Sequence, residues 1–79
     1  DVYKRQIYGD VTKCVLFSGV RIEEGATVIN SVLQSNVVVK SGARVENAIV
    51  MENITVEGDQ VIGDSATVSL VSEDGIRVE

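Results

Sequence analysis

The chain has 79 residues, seven of them Lys or Arg and twelve Asp or Glu, for a formal charge of -5 at pH 7. Such a field repels phosphate backbones and anionic bilayers, so neither nucleic acid nor a membrane is an expected partner. No apolar run approaches the roughly 20 residues that cross a bilayer, and no charged leader precedes an apolar core, so the chain reads as soluble and cytoplasmic. A single cysteine, Cys14, makes neither an internal disulfide nor a zinc cluster, and the absence of His removes the commonest general base and metal ligand. The apolar residues are mostly Val, Ile, Leu and Ala, with Tyr3, Tyr8 and Phe17 as the aromatics and no Pro. That inventory suits stacked aliphatic layers and β structure.

From the N-terminus, residues 1–6 (DVYKRQ) do not fit the pattern of the rest of the chain, and Arg5 stands where an inward aliphatic is expected. They are expected to be a non-native or disordered leader. Residues 7–70 then carry a 17-residue period. Residues 20–36 (VRIEEGATVINSVLQSN) align with residues 37–53 (VVVKSGARVENAIVMEN), pairing Gly25 with Gly42, Val28 with Val45, Asn30 with Asn47 and Asn36 with Asn53. Residues 54–70 keep Ile54, Val56 and Ile62 in these columns, and Val11, Cys14, Val15 and Gly19 fit them upstream. A fixed period of this length marks a solenoid.

Within each repeat the apolar residues come in pairs two apart, the spacing that returns strand side chains to one face. The expected inward pairs are Val20 with Ile22, Ala26 with Val28 and Val32 with Gln34. Next come Val37 with Val39, Ala43 with Val45 and Ile49 with Met51, then Ile54 with Val56, Gln60 with Ile62 and Ala66 with Val68. Steps of six, six and five residues describe a triangular coil, with Gly, Asn and Ser at its corners. The expected fold is therefore all-β, a parallel β-helix of about four triangular coils. Residues 71–79 lose the alternation and are expected to form an irregular tail.

Ile22-Glu-Glu-Gly-Ala-Thr27 and Ile62-Gly-Asp-Ser-Ala-Thr67 resemble the hexapeptide repeat of left-handed parallel β-helices. The left hand comes only from this resemblance, since the general rule for parallel crossovers gives the right hand. The longer string IYGDVTKCVLFSGVRIEEGA, from Ile7 to Ala26, with Asn30, Ser31, Val32, Ala48, Ile49 and Val50 beyond it, is similar to the C-terminal domain of bacterial glucose-1-phosphate adenylyltransferase. That family, also called ADP-glucose pyrophosphorylase, includes a regulatory glycogen biosynthesis paralogue. The resemblance spans residues 7–68. It implies an N-terminal nucleotidyltransferase domain that makes ADP-glucose from ATP and glucose 1-phosphate with magnesium, followed by a β-helix for subunit contacts and allosteric regulation. On it, this chain is the C-terminal oligomerisation and regulatory part, with no catalytic site or cofactor of its own. Magnesium and ATP belong to the N-terminal domain, and the partners are that domain and other subunits in a homo- or hetero-oligomer. The competing readings are a fragment of a hexapeptide acyltransferase or β-helical carbonic anhydrase, both of which depend on His, and a purely structural solenoid.

Individual residues sharpen these expectations. Cys14 shares a column with Ser31, Ala48 and Ser65 and is expected to be a small corner residue rather than a reactive thiol. Gln34 and Gln60 are expected to bond backbone groups near corners. Asn36 and Asn53 should form a corner ladder with Gly19 in the same column. Glu23, Glu24, Glu46, Glu57, Asp59 and Asp64 read as a solvated face rather than a metal site. Gly9, Gly25, Gly42 and Gly63 read as corners rather than a phosphate-binding loop. The resemblance makes an anionic effector conceivable, with Arg21, Lys40 and Arg44 as the candidates, although no two of them share a column.

The register makes two checks available: circular dichroism of the chain should be of β type with little helix, and Val45 and Glu46 should respond differently. Val45→Asp places a charge between Val28 and Ile62 and should cost several kcal/mol, on the order of the large core effects, against about 0.5 kcal/mol or less for Glu46→Ala. Denaturant titration of the two variants measures the difference.

Overall fold

The computed structural model describes residues 4–79, and these contain short β-strands and no helix. In chain order the strands are β1 (Gln6–Ile7), β2 (Asp10–Thr12), β3 (Val15–Leu16), β4 (Arg21–Ile22), β5 (Thr27–Ile29) and β6 (Val32–Leu33). They continue with β7 (Val38–Val39), β8 (Arg44–Glu46), β9 (Ala48–Val50), β10 (Thr55–Val56), β11 (Val61–Ile62), β12 (Ser69–Ser72) and β13 (Gly75–Val78). Every third strand stacks on the last. The first face is β1-β4-β7-β10, the second β2-β5-β8-β11 and the third β3-β6-β9-β12-β13, all parallel except the final β12–β13 pair. The result is a triangular β-solenoid of about four turns.

The 17-residue period is the stacking register: Arg21 pairs with Val38, Val28 with Val45 and Leu33 with Val50. Identical or similar side chains therefore sit above one another inside the prism. Val20, Ile22, Val28, Val37, Val39 and Val45 are fully buried, and Val56 and Ile62 nearly so. These are the pairs expected on the first two faces.

The third face differs. Its buried residues are Ser31 with Leu33 and Ala48 with Val50, whereas Val32 is half-buried and Ile49 is 37% exposed. The expected inward pairs Val32 with Gln34 and Ile49 with Met51 are thus one residue out of phase. The cause is the corner before this face. At the other two corners of a regular coil the chain turns over two residues, with Ala26 N–H donating to Glu23 C=O and Val37 N–H to Gln34 C=O, and with Gly25 (φ 92°) and Asn36 (φ 63°) in the left-handed region. At the third corner a single left-handed residue, Asn30 (φ 49°) or Asn47 (φ 52°), makes the turn. The five-residue step accordingly falls between the second and third faces, not at the repeat boundary.

Both ends of the stack depart from the period. Gln6 pairs with Arg21, an offset of 15, because the corner between β1 and β2 is two residues shorter than those above it. Gly9 fits there because any side chain would collide with backbone: a Cβ would lie 2.6 Å from Ala26 C=O and 2.7 Å from Glu23 C=O. Of the expected leader, residues 1–3 lie outside the described residues. Gln6 is in β1, and Arg5, in the column of Val20, donates from its guanidinium to Leu16 C=O at 3.0 Å. At the other end Ser69 pairs with Ala48, an offset of 21, because four extra residues bulge between β11 and β12. Ala66 and Val68, expected inside, are exposed on this bulge, and Ser69 and Val71 take the inward places. Residues 71–79 are not irregular: β13 folds back antiparallel on β12, pairing Ile76 with Val71, through a turn that contains Gly75 (φ 119°).

The corrected phase of the third face can be measured. Leu33→Ala removes a fully buried side chain and should cost about 2–5 kcal/mol, while Val32→Ala should cost about 1 kcal/mol or less. Chemical denaturation of both variants decides it.

Candidate functional site

The corners are held by side-chain ladders. Asn30 Nδ2 donates to Asn47 Oδ1 at 2.5 Å, and Asn47 Nδ2 to Asp64 C=O at 2.8 Å. On another edge Asn36 Nδ2 donates to Asn53 Oδ1 at 3.2 Å, and Gly19 heads this column because a Cβ there would run into the Asn36 amide. Asn tolerates the left-handed conformation better than most side chains and here also bonds the next coil. The expected Asn36–Asn53 ladder is present, and the Asn30–Asn47 ladder is a second one.

Ser31 resolves a polar problem inside the prism. Its hydroxyl donates to Ile29 C=O at 2.8 Å and accepts from Ala48 N–H at 3.1 Å, so a buried amide keeps a partner at the tight corner. Cys14 occupies the same column one coil earlier, half-buried against the core, with Sγ 3.2 Å from Thr12 C=O. The column is inward rather than at the corner itself, and its fourth member is Ser69, not Ser65. Gln60 lies in the inward column of Ala26 and Ala43, and its Oε1 accepts from Glu57 N–H at 2.8 Å. Gln34, by the shifted phase, belongs to the outward side of the third face.

The ion pairs lie on the first two faces. On the first face Arg21 meets Gln6 Oε1 at 2.5 Å, Glu23 Oε2 at 3.7 Å and the Tyr8 ring at 5.6 Å from its centroid. Lys40 is exposed on the same face, in a column that runs Glu23, Lys40, Glu57. Arg44 is round the corner on the second face, 3.5 Å from Glu46. The three basic candidates therefore do not converge, and each arginine has a carboxylate neighbour. Exposed pairs of this kind contribute about 1 kcal/mol or less. Among the described residues no three acidic or Cys side chains are grouped to hold a metal ion. Asp64 organises the four-residue bulge, accepting from Ala66 N–H at 2.8 Å, Thr67 N–H at 3.0 Å and Thr67 Oγ1 at 3.2 Å. These bonds, led by Ala66 N–H, hold its carboxyl below the usual aspartate range.

The third face carries no charge over four strands. Its outward columns are Val15, Val32, Ile49 and Leu70, paired in register, and beside them Phe17, Gln34, Met51 and Ser72. Val15 is 56% exposed and Phe17 46%. The face is bordered by charge at both ends, by Arg77 opposite Leu70 on β13 and by Arg5, whose guanidinium bonds Leu16 C=O beside Val15 and Phe17. This aliphatic side is invisible when Val32 and Ile49 are counted as core. The signal that reveals it is the column of small residues Cys14, Ser31 and Ala48, which fits an interior between close corners.

Residues 6–78 match the family described as GlmU-like, C-terminal hexapeptide. The chain belongs to this family. No curated protein and no solved structure matches the hexapeptide domain. No helix among its described residues is long and apolar enough to cross a membrane.

The Asp64 bonds give a pH signature. A carboxyl whose pKa is lowered by folding contributes stability above its unfolded pKa and loses it as pH falls through the folded value. The difference in Tm between wild type and Asp64→Asn should be constant above about pH 5 and shrink steadily below about pH 4. Thermal melts at a series of pH values measure it, and a difference that grows on acidification would contradict the assignment.

Proposed function

We propose that this hexapeptide domain is an assembly and regulatory module of a glucose-1-phosphate adenylyltransferase of glycogen biosynthesis, acting in the cytoplasm. The observation that carries the reading is the third face, aliphatic and free of charge over its four parallel strands, on a prism whose other two sides are charged. Such a side supports protein contact better than small-molecule chemistry. The string from Ile7 to Ala26, which supports the particular enzyme, runs through the first coil and into the second. In this reading ATP and magnesium are handled by a nucleotidyltransferase domain, and the solenoid sets subunit contacts. An anionic effector would meet Arg21 and Lys40 on the first face and Arg44 on the next. Acyl transfer is the second reading, favoured by the hexapeptide family itself. Its base would have to come from outside these 79 residues, which contain no His.

The test uses the purified chain. Supplied with ATP, glucose 1-phosphate and magnesium it should form no ADP-glucose. Mixed with a glucose-1-phosphate adenylyltransferase catalytic domain that lacks its β-helix, it should bind and alter the response to phosphorylated sugar effectors. Turnover by the chain alone, or failure to bind that domain, would remove the reading.

A further inference from the structure

We infer that the C-terminal end of the solenoid is a recognition site for an extended basic peptide segment of another protein, which adds one strand to the open edge of β10. This role is separate from the assembly reading and independent of which enzyme the solenoid belongs to.

The end is a notch, not a flat cap. The first face stops at β10 and the second at β11, whereas the third continues through β12 to a fifth strand, β13. β13 therefore stands one level above the other two faces and walls them on one side. On the open edges, backbone groups face away from the stack. Ile54 C=O and Val56 C=O accept from Val38 N–H and Lys40 N–H in the coil below, so by alternation along the strand the N–H and C=O of Thr55 point out of the end. The same holds for Val61, whose neighbour Gln60 accepts through its C=O from Arg44 N–H. Such an edge is a template for strand addition. Asn53 is the last rung of its ladder: its Oδ1 accepts from Asn36, and its own Nδ2 has no acceptor among the described residues. It offers a further donor to an arriving carbonyl.

Two adjoining hollows give the chemistry of the segment. The first, of about 270 Å³, is lined by Ile54, Val56, Ile62, Val71 and Ile76. That exceeds the roughly 150 Å³ in which a benzene-sized group is held, so one aliphatic side chain fits. Ile76, on the β13 wall, is 51% exposed. The second hollow shares Asn53, Ile54, Ser72 and Glu73 with the first and adds Glu52 and Asp74. Three carboxylates there suit a lysine or arginine. The pair of hollows thus selects an aliphatic residue beside a basic one.

The long-range field agrees. Residues 51–79 hold seven of the twelve acidic side chains and only Arg77 of the seven basic ones. This end draws in a cationic segment and repels an acidic one. A second copy of the chain does not fit. To continue the stack, its β1, β2 and β3 would have to lie on β10, β11 and β12, and the place above β12 is taken by β13. A single strand beside that wall meets no such obstacle.

The test is a titration of the ¹⁵N-labelled 79-residue chain with the blocked peptide lysine–valine–threonine–valine–lysine, followed by backbone amide shifts. Circular dichroism verifies the fold of each variant. Saturable shift changes are expected at Thr55, Val56 and residues 72–76, and none at the N-terminal end. Thr55→Pro removes the outward N–H of β10 without touching a ladder bond, and Ile76→Lys puts a charge in the apolar hollow. Each should weaken binding at least about tenfold, and either one suffices should the other unfold. Glu73→Lys should weaken it several-fold, whereas Glu24→Lys, the same change of charge at an exposed corner of the second coil, should leave it within about twofold. A peptide with glutamate in place of lysine should not bind. Absence of saturable shifts at millimolar peptide, shifts away from the notch, equal binding of the glutamate peptide, or indifference to a folded Thr55→Pro variant would overturn the inference. So would equal losses from Glu24→Lys and Glu73→Lys, which would mean attraction by net charge alone. End-to-end oligomers of the chain that Glu73→Lys disperses would overturn it too, by giving the notch to a second copy.

Discussion

A chain that climbs one strand spacing per coil must meet its own earlier backbone after every turn, and whether it does is decided at the corners. Each corner must change direction within one or two residues and still leave the strands beyond it in hydrogen-bonding register. Left-handed backbone does this, and the solenoid places it at fixed columns, with Gly25 and Gly42 on one edge, Asn36 and Asn53 on the second, and Asn30 and Asn47 on the third. At Asn30, Asn36 and Asn47 the conformational cost is offset by an amide bond to the coil above, so each of these turns helps to fix the next.

Interior layering follows from those corners. Because the same column recurs every coil, residues of like size stack in the two central coils: Ala26 stacks on Ala43 and Ser31 on Ala48, while Val28 stacks on Val45 and Leu33 on Val50. The tight Asn corner brings its neighbours so close that only a small side chain, Ser31 or Ala48, completes the layer. A solenoid can therefore be slender and still leave no buried side-chain polar atom without a partner among the described residues.

Much of this was legible in the sequence. A two-residue alternation within a 17-residue period defined the coil, and the first two faces follow it residue for residue. The third face was misphased because Val32 and Ile49 are larger and more apolar than Ser31 and Ala48. Hydropathy prefers them inside, whereas a one-residue left-handed corner puts them outside. Nothing local distinguishes a corner of one residue from a corner of two when both contain Asn and Ser. The ends were harder still, since the shortened corner at Tyr8–Gly9 and the bulge bonded by Asp64 are departures from the period that helps to locate everything else. The basic candidates could be placed on outward columns from spacing, but spacing does not tell that Arg21 and Arg44 each sit beside a carboxylate. The uncharged side was hidden by the same phase error.

The irregularities lie at the two ends, and the two coils between them repeat corner for corner. Length is thus a free variable of this architecture. Adding or removing one 17-residue unit in the middle would move the ends apart or together by about one strand spacing, near 4.8 Å, without changing a single corner type or interrupting either Asn ladder. Each added unit would also extend the uncharged side by one more strand, so reach and contact area would grow in the same step. The solenoid therefore behaves as a ruler with exchangeable divisions, whose graduations are set by corner chemistry and whose end stops are the short Gly9 corner and the β12–β13 hairpin.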